Sequence, residues 1–304
     1  MDLSHVSYLV YLFLYKNIGS LLFILTLIYI LVRYGMSVVG ILLCCYLGHF
    51  FFLMSTADFS LYELHGKKKK SKIPCDIYTY WHSHDMPYTV KKCIRSWRRL
   101  CPTYTIHIIT KKNLERYAPG ITQHKHIPSP AFLSDMIRLH VLSERGGIWM
   151  DASVYLNDNL DWVHGYQTST DCEFIGYDQK PWNTYKKVES WFFACIPHST
   201  FVHDWKTEFY RIQTYPSIAS YIRRAETKGV ALNHLSNKEY LSVYVASDTL
   251  LQKPHTYQLQ VLDGNGPLSL RCMFLYPFYP LFYREPVVKY ISSTRTMMDR
   301  MKML

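Results

Sequence analysis

Apolar and polar positions divide the chain into two unlike parts. From residue 8 to residue 54 the sequence is nearly continuous in apolar side chains. Residues 18–32 carry no charge, and residues 35–54 form a run of 20 whose most polar member is His49. At 1.5 Å per helical residue, that second run spans roughly 30 Å, the thickness of a hydrocarbon core. The pattern predicts a membrane anchor over residues 1–56. It is either one spanning helix or a helical hairpin turning at Arg33, Tyr34 and Gly35. A cleaved signal peptide does not fit, because the apolar stretch is too long. After a basic linker, residues 57–74, the periodicity changes. Residues 75–81 (CDIYTYW) read as a buried strand. Residues 89–100 have helical spacing, with Val90, Ile94 and Trp97 on one face and Lys91, Lys92, Arg95 and Arg98 off it. Residues 104–110 predict a second strand, 111–117 a short helix and 119–130 a loop.

An amphipathic helix then runs through Asp135, Arg138 and Leu142 and stops at Gly146 and Gly147. The short apolar strand Ile148, Trp149, Met150 follows and delivers Asp151 at its end. Further on, strands are expected over 173–177, 189–196 and 258–262, helices over 200–215 and 238–252, and a turn over 263–267. Strands alternating with helices predict an α/β domain with a mainly parallel sheet over residues 75–290, followed by a basic tail, 291–304.

Composition sharpens this picture. The chain has 304 residues, 16% of them aromatic, which favours a packed domain over disorder. Five of the net +11 charges are Lys67, Lys68, Lys69, Lys70 and Lys72. The folded part is therefore only mildly basic, and a nucleic-acid partner is not expected. A lysine run just after an apolar segment suits anionic lipid, at roughly 1 kcal/mol per charge, or is a solvated linker. It also biases orientation. The expectation is an integral membrane protein whose α/β domain faces the cytoplasm in preference to the Golgi or ER lumen. The eight cysteines include no C-x-x-C pair, so zinc spacing is absent.

Candidate chemistry centres on residues 134–156. Helix, glycine stop, strand and terminal acid form a recurrent site geometry, because ligands of open α/β sheets bind outside the carboxyl ends of the strands. Asp135 and Arg138, three apart on one helix, can accept from and donate to a polyhydroxylated ligand, or form an ordinary helix ion pair. Asp151 can hold a divalent cation that bridges phosphates, or be a polar strand end. Ser153 points to the same side if the strand continues. Trp81, at the end of the first strand, can stack on a nucleobase or fill the core. His82, His84, Asp85, His124 and His126 lack ligand spacing.

The stretch A-F-L-S-D-M-I-R-L-H-V-L-S-E-R-G-G-I-W-M-D-A-S-V-Y resembles the sugar-binding region of glycosyltransferase family 32 and its relatives, above all the capsular polysaccharide synthesis proteins. I-Y-T-Y-W-H-S is similar to that group's opening strand, C-I-R-S-W-R-R-L-C-P-T-Y-T-I-H-I-I-T to its first helix and second strand, and E-S-W-F-F-A-C to a later strand. The resemblance implies a GT-A fold, a nucleotide-sugar donor, a divalent cation (Mn²⁺ or Mg²⁺), and transfer of a hexose with retention to a glycan or glycolipid hydroxyl. By the same resemblance Asp135, Arg138 and Asp151 are the catalytic set, and Trp81, Asp135, Arg138, Gly147 and Asp151 bind the donor. Asp151 and Ser153 hold the metal, with Asp263 and Asn265 in the late turn as further ligands. Membrane lipid is a further partner. Ser153 stands where many relatives have a second acid, and a hydroxyl is a weaker ligand for a hard cation. The alternative is a membrane-tethered sugar- or nucleotide-sugar-binding protein that no longer catalyses.

Overall fold

A computed structural model describes residues 71–83, 85–178, 188–264, 285–290, 295, 296 and 299. All of them belong to one of the two compact units into which the chain divides. Six strands form the central sheet: β1 (Asp76–Tyr80), β2 (Thr105–Ile109), β3 (Gly147–Met150), β5 (Phe174–Asp178), β6 (Phe192–Cys195) and β7 (Leu259–Asp263). Their order is β2-β1-β3-β6-β5-β7. β1 pairs in parallel with β2 and β3, and β5 with β7. β6 is antiparallel to both neighbours. The sheet is thus mixed and mostly parallel. Hydrophobic periodicity marks a buried strand but carries no sign of its direction, so the reversal of β6 was not readable from the pattern. β4 (Val154–Leu156) pairs with β8 (Val287–Lys289) in a separate two-stranded sheet.

Helices cover both faces. α1 (Tyr88–Leu100) and α4 (Asp161–Thr170) lie on one face, where Val90, Ile94, Trp97 and Val163 pack with Ile77, Ile148, Met150 and Phe192. α3 (Pro130–Arg145), α5 (Thr200–Tyr210), α6 (Ile218–Thr227) and α7 (Ser242–Leu251) lie on the other, against Tyr78, Trp149 and Phe193. Adjacent strand residues go to opposite cores, as the period of two requires. α2 (Leu114–Tyr117) is a single turn. The helix expected to reach residue 215 ends at Tyr210 and tightens into a 3-10 turn, Arg211–Thr214. α4, α6, β4 and β8 were not expected from the sequence.

α3 explains why the site is where it is. Ser129 caps its start, accepting from the Phe132 backbone N at 3.1 Å, with Pro130 at the first position. Gly146 ends it with φ +63°. A Cβ there would lie 2.4 Å from the Pro197 backbone N, so only glycine fits. The chain turns at once into β3.

Among the described residues no helix is long and apolar enough to cross a membrane. The longest, α3, has 16 residues, about 24 Å, and carries buried and surface charge. The expectation of an integral membrane protein facing the cytoplasm is corrected on that finding. The apolar residues 8–54 and the lysine run, on which that expectation and the lipid partner rested, lie outside the described residues.

Candidate active site

Asp151 sits just past β3, at the carboxyl end of the strand, where its backbone N donates to the Trp191 carbonyl at 2.9 Å. β1 runs alongside in parallel, with Tyr78 opposite Trp149. Trp81, one residue beyond β1, therefore emerges at the same edge of the sheet. It is half-buried, packed against the edge of one core cluster. Its indole N donates to the Asp85 carbonyl at 3.3 Å, and the Arg295 guanidinium lies 5.7 Å from its ring centroid.

The centre of the site is Arg138, 4% exposed. One terminal nitrogen donates to the Ser190 carbonyl at 2.6 Å and the Ser190 hydroxyl at 2.7 Å. The other reaches Asp135 Oδ1 at 3.1 Å, Asp151 Oδ1 at 3.1 Å and the Ser134 hydroxyl at 3.2 Å. The guanidinium also lies 5.1 Å from the Trp149 ring centroid. Its donors are thus committed to the protein. The arrangement makes Arg138 a clamp joining α3, the end of β3 and the lead-in to β6. Ser190 is itself oriented by the Tyr244 hydroxyl, to which its own hydroxyl donates at 3.2 Å and which in turn donates to Glu189 at 2.8 Å.

Asp151 is saturated on its inner side. Oδ1 accepts from Arg138 and from the Trp149 indole N at 3.0 Å, and Oδ2 accepts from the Lys289 ammonium at 2.5 Å. Lys289 also donates to the Ser153 hydroxyl at 3.1 Å. Burial disfavours the charged Asp151, but Lys289 and Arg138 outweigh it and hold its pKa below the ordinary value. Asp135 goes the other way. Burial pushes it up to about 7 against the pull of Arg138, with Asp151 adding to the rise. Two neighbouring carboxylates are thereby separated in basicity, one fixed as an anion and one near neutrality.

The other expected site residues fall differently. Gly147 lies at the opposite end of β3, four residues or about 13 Å from Asp151. Its φ is +100°, and a Cβ would meet the Asp76 carbonyl oxygen at 2.8 Å. Close strand packing accounts for a glycine there. Gly147→Ala should therefore lower stability by about 1–3 kcal/mol. The remaining folded protein should keep its full donor affinity. Chemical denaturation and nucleotide titration of one sample would check both. Asp263 is the last residue of β7, opposite Asp178, and Asn265 lies outside the described residues.

Among the described residues the donor set does not fit a divalent cation. Among the described residues no three His, Cys, Asp or Glu side chains gather at one point. Asp151 and Ser153, the expected ligands, share the Lys289 ammonium. A divalent ion within about 4 Å of that ammonium would be repelled by roughly 8 kcal/mol at an effective dielectric of 20. Lys289 was missed by sequence reading. Its strand has three residues, too few for a periodic signal, and it stands 138 positions from Asp151. Ser190 could have been found, since E-S-W-F-F-A-C was singled out as a strand.

These features define an α/β protein with a cluster of charged side chains at the carboxyl edge of its mostly parallel sheet. Residues 53–260 match the capsular polysaccharide synthesis protein family, and the chain belongs to that family. Among solved structures it is similar to a glycosyltransferase involved in glycosylation of the major capsid of PBCV-1, at 12% identity and TM-score 0.44, over 76% of this chain and 100% of that one. It is also similar to the PaToxG glycosyltransferase (12%, TM-score 0.39, 76% and 85%) and to mouse xyloside xylosyltransferase 1 (11%, TM-score 0.37, 72% and 99%). No protein of curated function matches the sequence.

Proposed function

We propose that this protein is a GT-A glycosyltransferase that moves a hexose from a nucleoside-diphosphate sugar to a hydroxyl of a glycan or glycolipid, with retention, in polysaccharide or glycoconjugate synthesis. The observation that carries the reading is the placement of Asp151 and Trp81 at the tips of adjacent parallel strands, with the Asp135–Arg138 pair packed on Asp151. An indole at one tip suits a base, and an anionic carboxylate at the next suits ribose or sugar hydroxyls. Membership in the capsular synthesis family supports the product class.

In this reading the base stacks on Trp81 and the diphosphate spans the gap toward Asp151. Asp135, on the α3 face, accepts from the hexose. Arg138 is a positioning residue: it fixes both acids and makes no donor contact of its own. Among the described residues no carboxylate stands out as a covalent nucleophile. Transfer is then front-face: the bond from the anomeric carbon to the diphosphate oxygen breaks, the bond to the acceptor oxygen forms on the same face, and the acceptor proton passes to the departing diphosphate. The protein contributes positioning and charge stabilisation.

The test is to incubate the full chain with a panel of nucleoside-diphosphate sugars and a glycan acceptor, and to measure released nucleoside diphosphate. Turnover of one donor is the expected result. Binding of a donor with no turnover would favour the non-catalytic alternative, and no binding at all would remove the donor reading. Trp81→Ala should weaken nucleotide binding by about 1–3 kcal/mol, the worth of one stacked base. In calorimetry that is roughly five- to hundredfold in Kd. An unchanged affinity would take Trp81 out of the site.

A further inference from the structure

The reversed sheet β4–β8 places a lysine where the sequence calls for a metal. β8 is held against the chain just after Asp151 by a short ladder: Val154 faces Lys289, the Tyr290 N donates to the Ser153 carbonyl at 3.0 Å, and the Asn157 N donates to the Pro286 carbonyl at 3.0 Å. The Lys289 stem is therefore fixed by backbone pairing, not by chance of a flexible surface side chain. Its ammonium bridges the Asp151 carboxylate and the Ser153 hydroxyl at 2.5 and 3.1 Å. An ammonium has three donors, and these contacts use two. The Lys289 side chain is 13% exposed and that of Asp151 24%, so the pair is reachable from solvent instead of being sealed within the core. Charge agrees with geometry. The cluster holds two cations, Lys289 and Arg138, against two acids, Asp151 and Asp135, so a neutral hydroxyl at Ser153 leaves no charge for a further cation to balance. Ser153 in place of a second acid and Lys289 in place of a cation form a matched pair.

The same C-terminal stretch reaches the Trp81 end of the site. Arg295 lies over Trp81, and the Asp299 carboxylate accepts from the Thr89 backbone N at 2.8 Å and the Thr89 hydroxyl at 2.5 Å at the start of α1. The C-terminal residues thus bring two cations to the edge of the sheet, Lys289 beside Asp151 and Arg295, from the expected basic tail, beside Trp81.

We propose that Lys289 stands in for the divalent cation: its ammonium, set between Asp151 and Ser153, receives the donor diphosphate and stabilises it as it leaves, and the site binds its nucleotide without metal. Resting on the transferase reading above, this goes beyond it by making the leaving-group charge the work of a side chain. A positioned ammonium offers a charge-assisted hydrogen bond to the same oxygens a metal would bridge.

The test is calorimetric titration of the full chain with UDP, GDP, ADP and CDP, first in EDTA and then in excess Mn²⁺, for wild type, Lys289→Ala and Lys289→Arg. One nucleotide should bind in EDTA with a Kd that Mn²⁺ leaves essentially unchanged. Lys289→Ala should weaken it by at least about tenfold, the loss of one charge-assisted hydrogen bond, and Lys289→Arg should restore part of the loss. Binding by wild type only when Mn²⁺ is present would overturn the proposal while leaving the transferase reading standing, and that comparison needs no variant to fold. Equal affinity in folded Lys289→Ala would overturn it as well. No nucleotide binding under either condition would sink the donor reading itself, and the proposal with it.

Discussion

Asp151→Asn should lower sugar transfer by about 10²–10³-fold, the usual effect of removing one preorganised electrostatic contact. The amide keeps the size of the side chain and can still accept from Arg138 and the Trp149 indole, so the end of β3 should hold its shape. What it loses is the charge, and on the other side it presents an N–H₂ to the Lys289 ammonium, which already donates there at 2.5 Å. Two donors cannot share that line, and Lys289 is pushed away from Ser153. The variant therefore loses both the anion that receives hydroxyls and the fixed position of the ammonium. Nucleoside diphosphate release is the measurement, with circular dichroism on the same sample. Turnover within tenfold of wild type in folded protein would remove Asp151 from the mechanism.

Arg138→Leu should be the most damaging substitution for stability, by about 3–5 kcal/mol, because it leaves the partners of a buried cation unpaired. Asp135 and Asp151 then face each other with only Lys289 between them and solvent, and the Ser190 carbonyl and hydroxyl lose their donor. The deficit should depend on pH, and the sign follows from Asp135. Its folded pKa, about 7, lies above its ordinary value of 3.8, so folding takes up a proton between those limits. Stability from this group is fully present below pH 3.8 and is lost as pH rises through 7. Removing Arg138 raises the folded pKa further and extends that loss to higher pH. The gap between wild type and variant should therefore be wider at pH 8 than at pH 6. Urea denaturation at the two pH values checks it. A gap of equal size would mean that Asp135 does not depend on Arg138 for its charge.

Both effects meet in a few side chains, and these were unevenly visible in the sequence. Asp135 and Arg138 were readable as neighbours because three residues on a helix bring side chains to one face. Asp151 was readable because an acid directly after a glycine-led apolar strand can only lie at that strand's tip. Trp81 was placed at the same edge once both strands were taken as parallel. Gly147 was expected as a donor contact; its positive φ and the closeness of the Asp76 carbonyl give it a packing reason of its own. Metal ligation was read from Asp151 and Ser153, with Asp263 and Asn265 as further ligands, and nothing in that pattern announced the lysine laid against the first two.

What the sequence by itself determined was the α/β class, the run of β1, α1, β2, α3 and β3, and the acid and indole at the strand ends. Those features depend on period, capping and glycine stops, which act within a few residues and are written locally. The tertiary structure alone decided the reversed direction of β6, the commitment of every Arg138 donor inside the protein, and the arrival of Lys289 between Asp151 and Ser153. The deciding contacts are distant in the chain: Arg138 meets Ser190 52 positions on, and Asp151 meets Lys289 138 positions on. The physical reason is that a backbone ladder or an ion pair between distant segments has no period of its own. Whether an acid holds a metal, a sugar or a lysine is set by the charge that folding brings beside it, and a three-residue strand such as β8 carries too little pattern to announce that charge in advance.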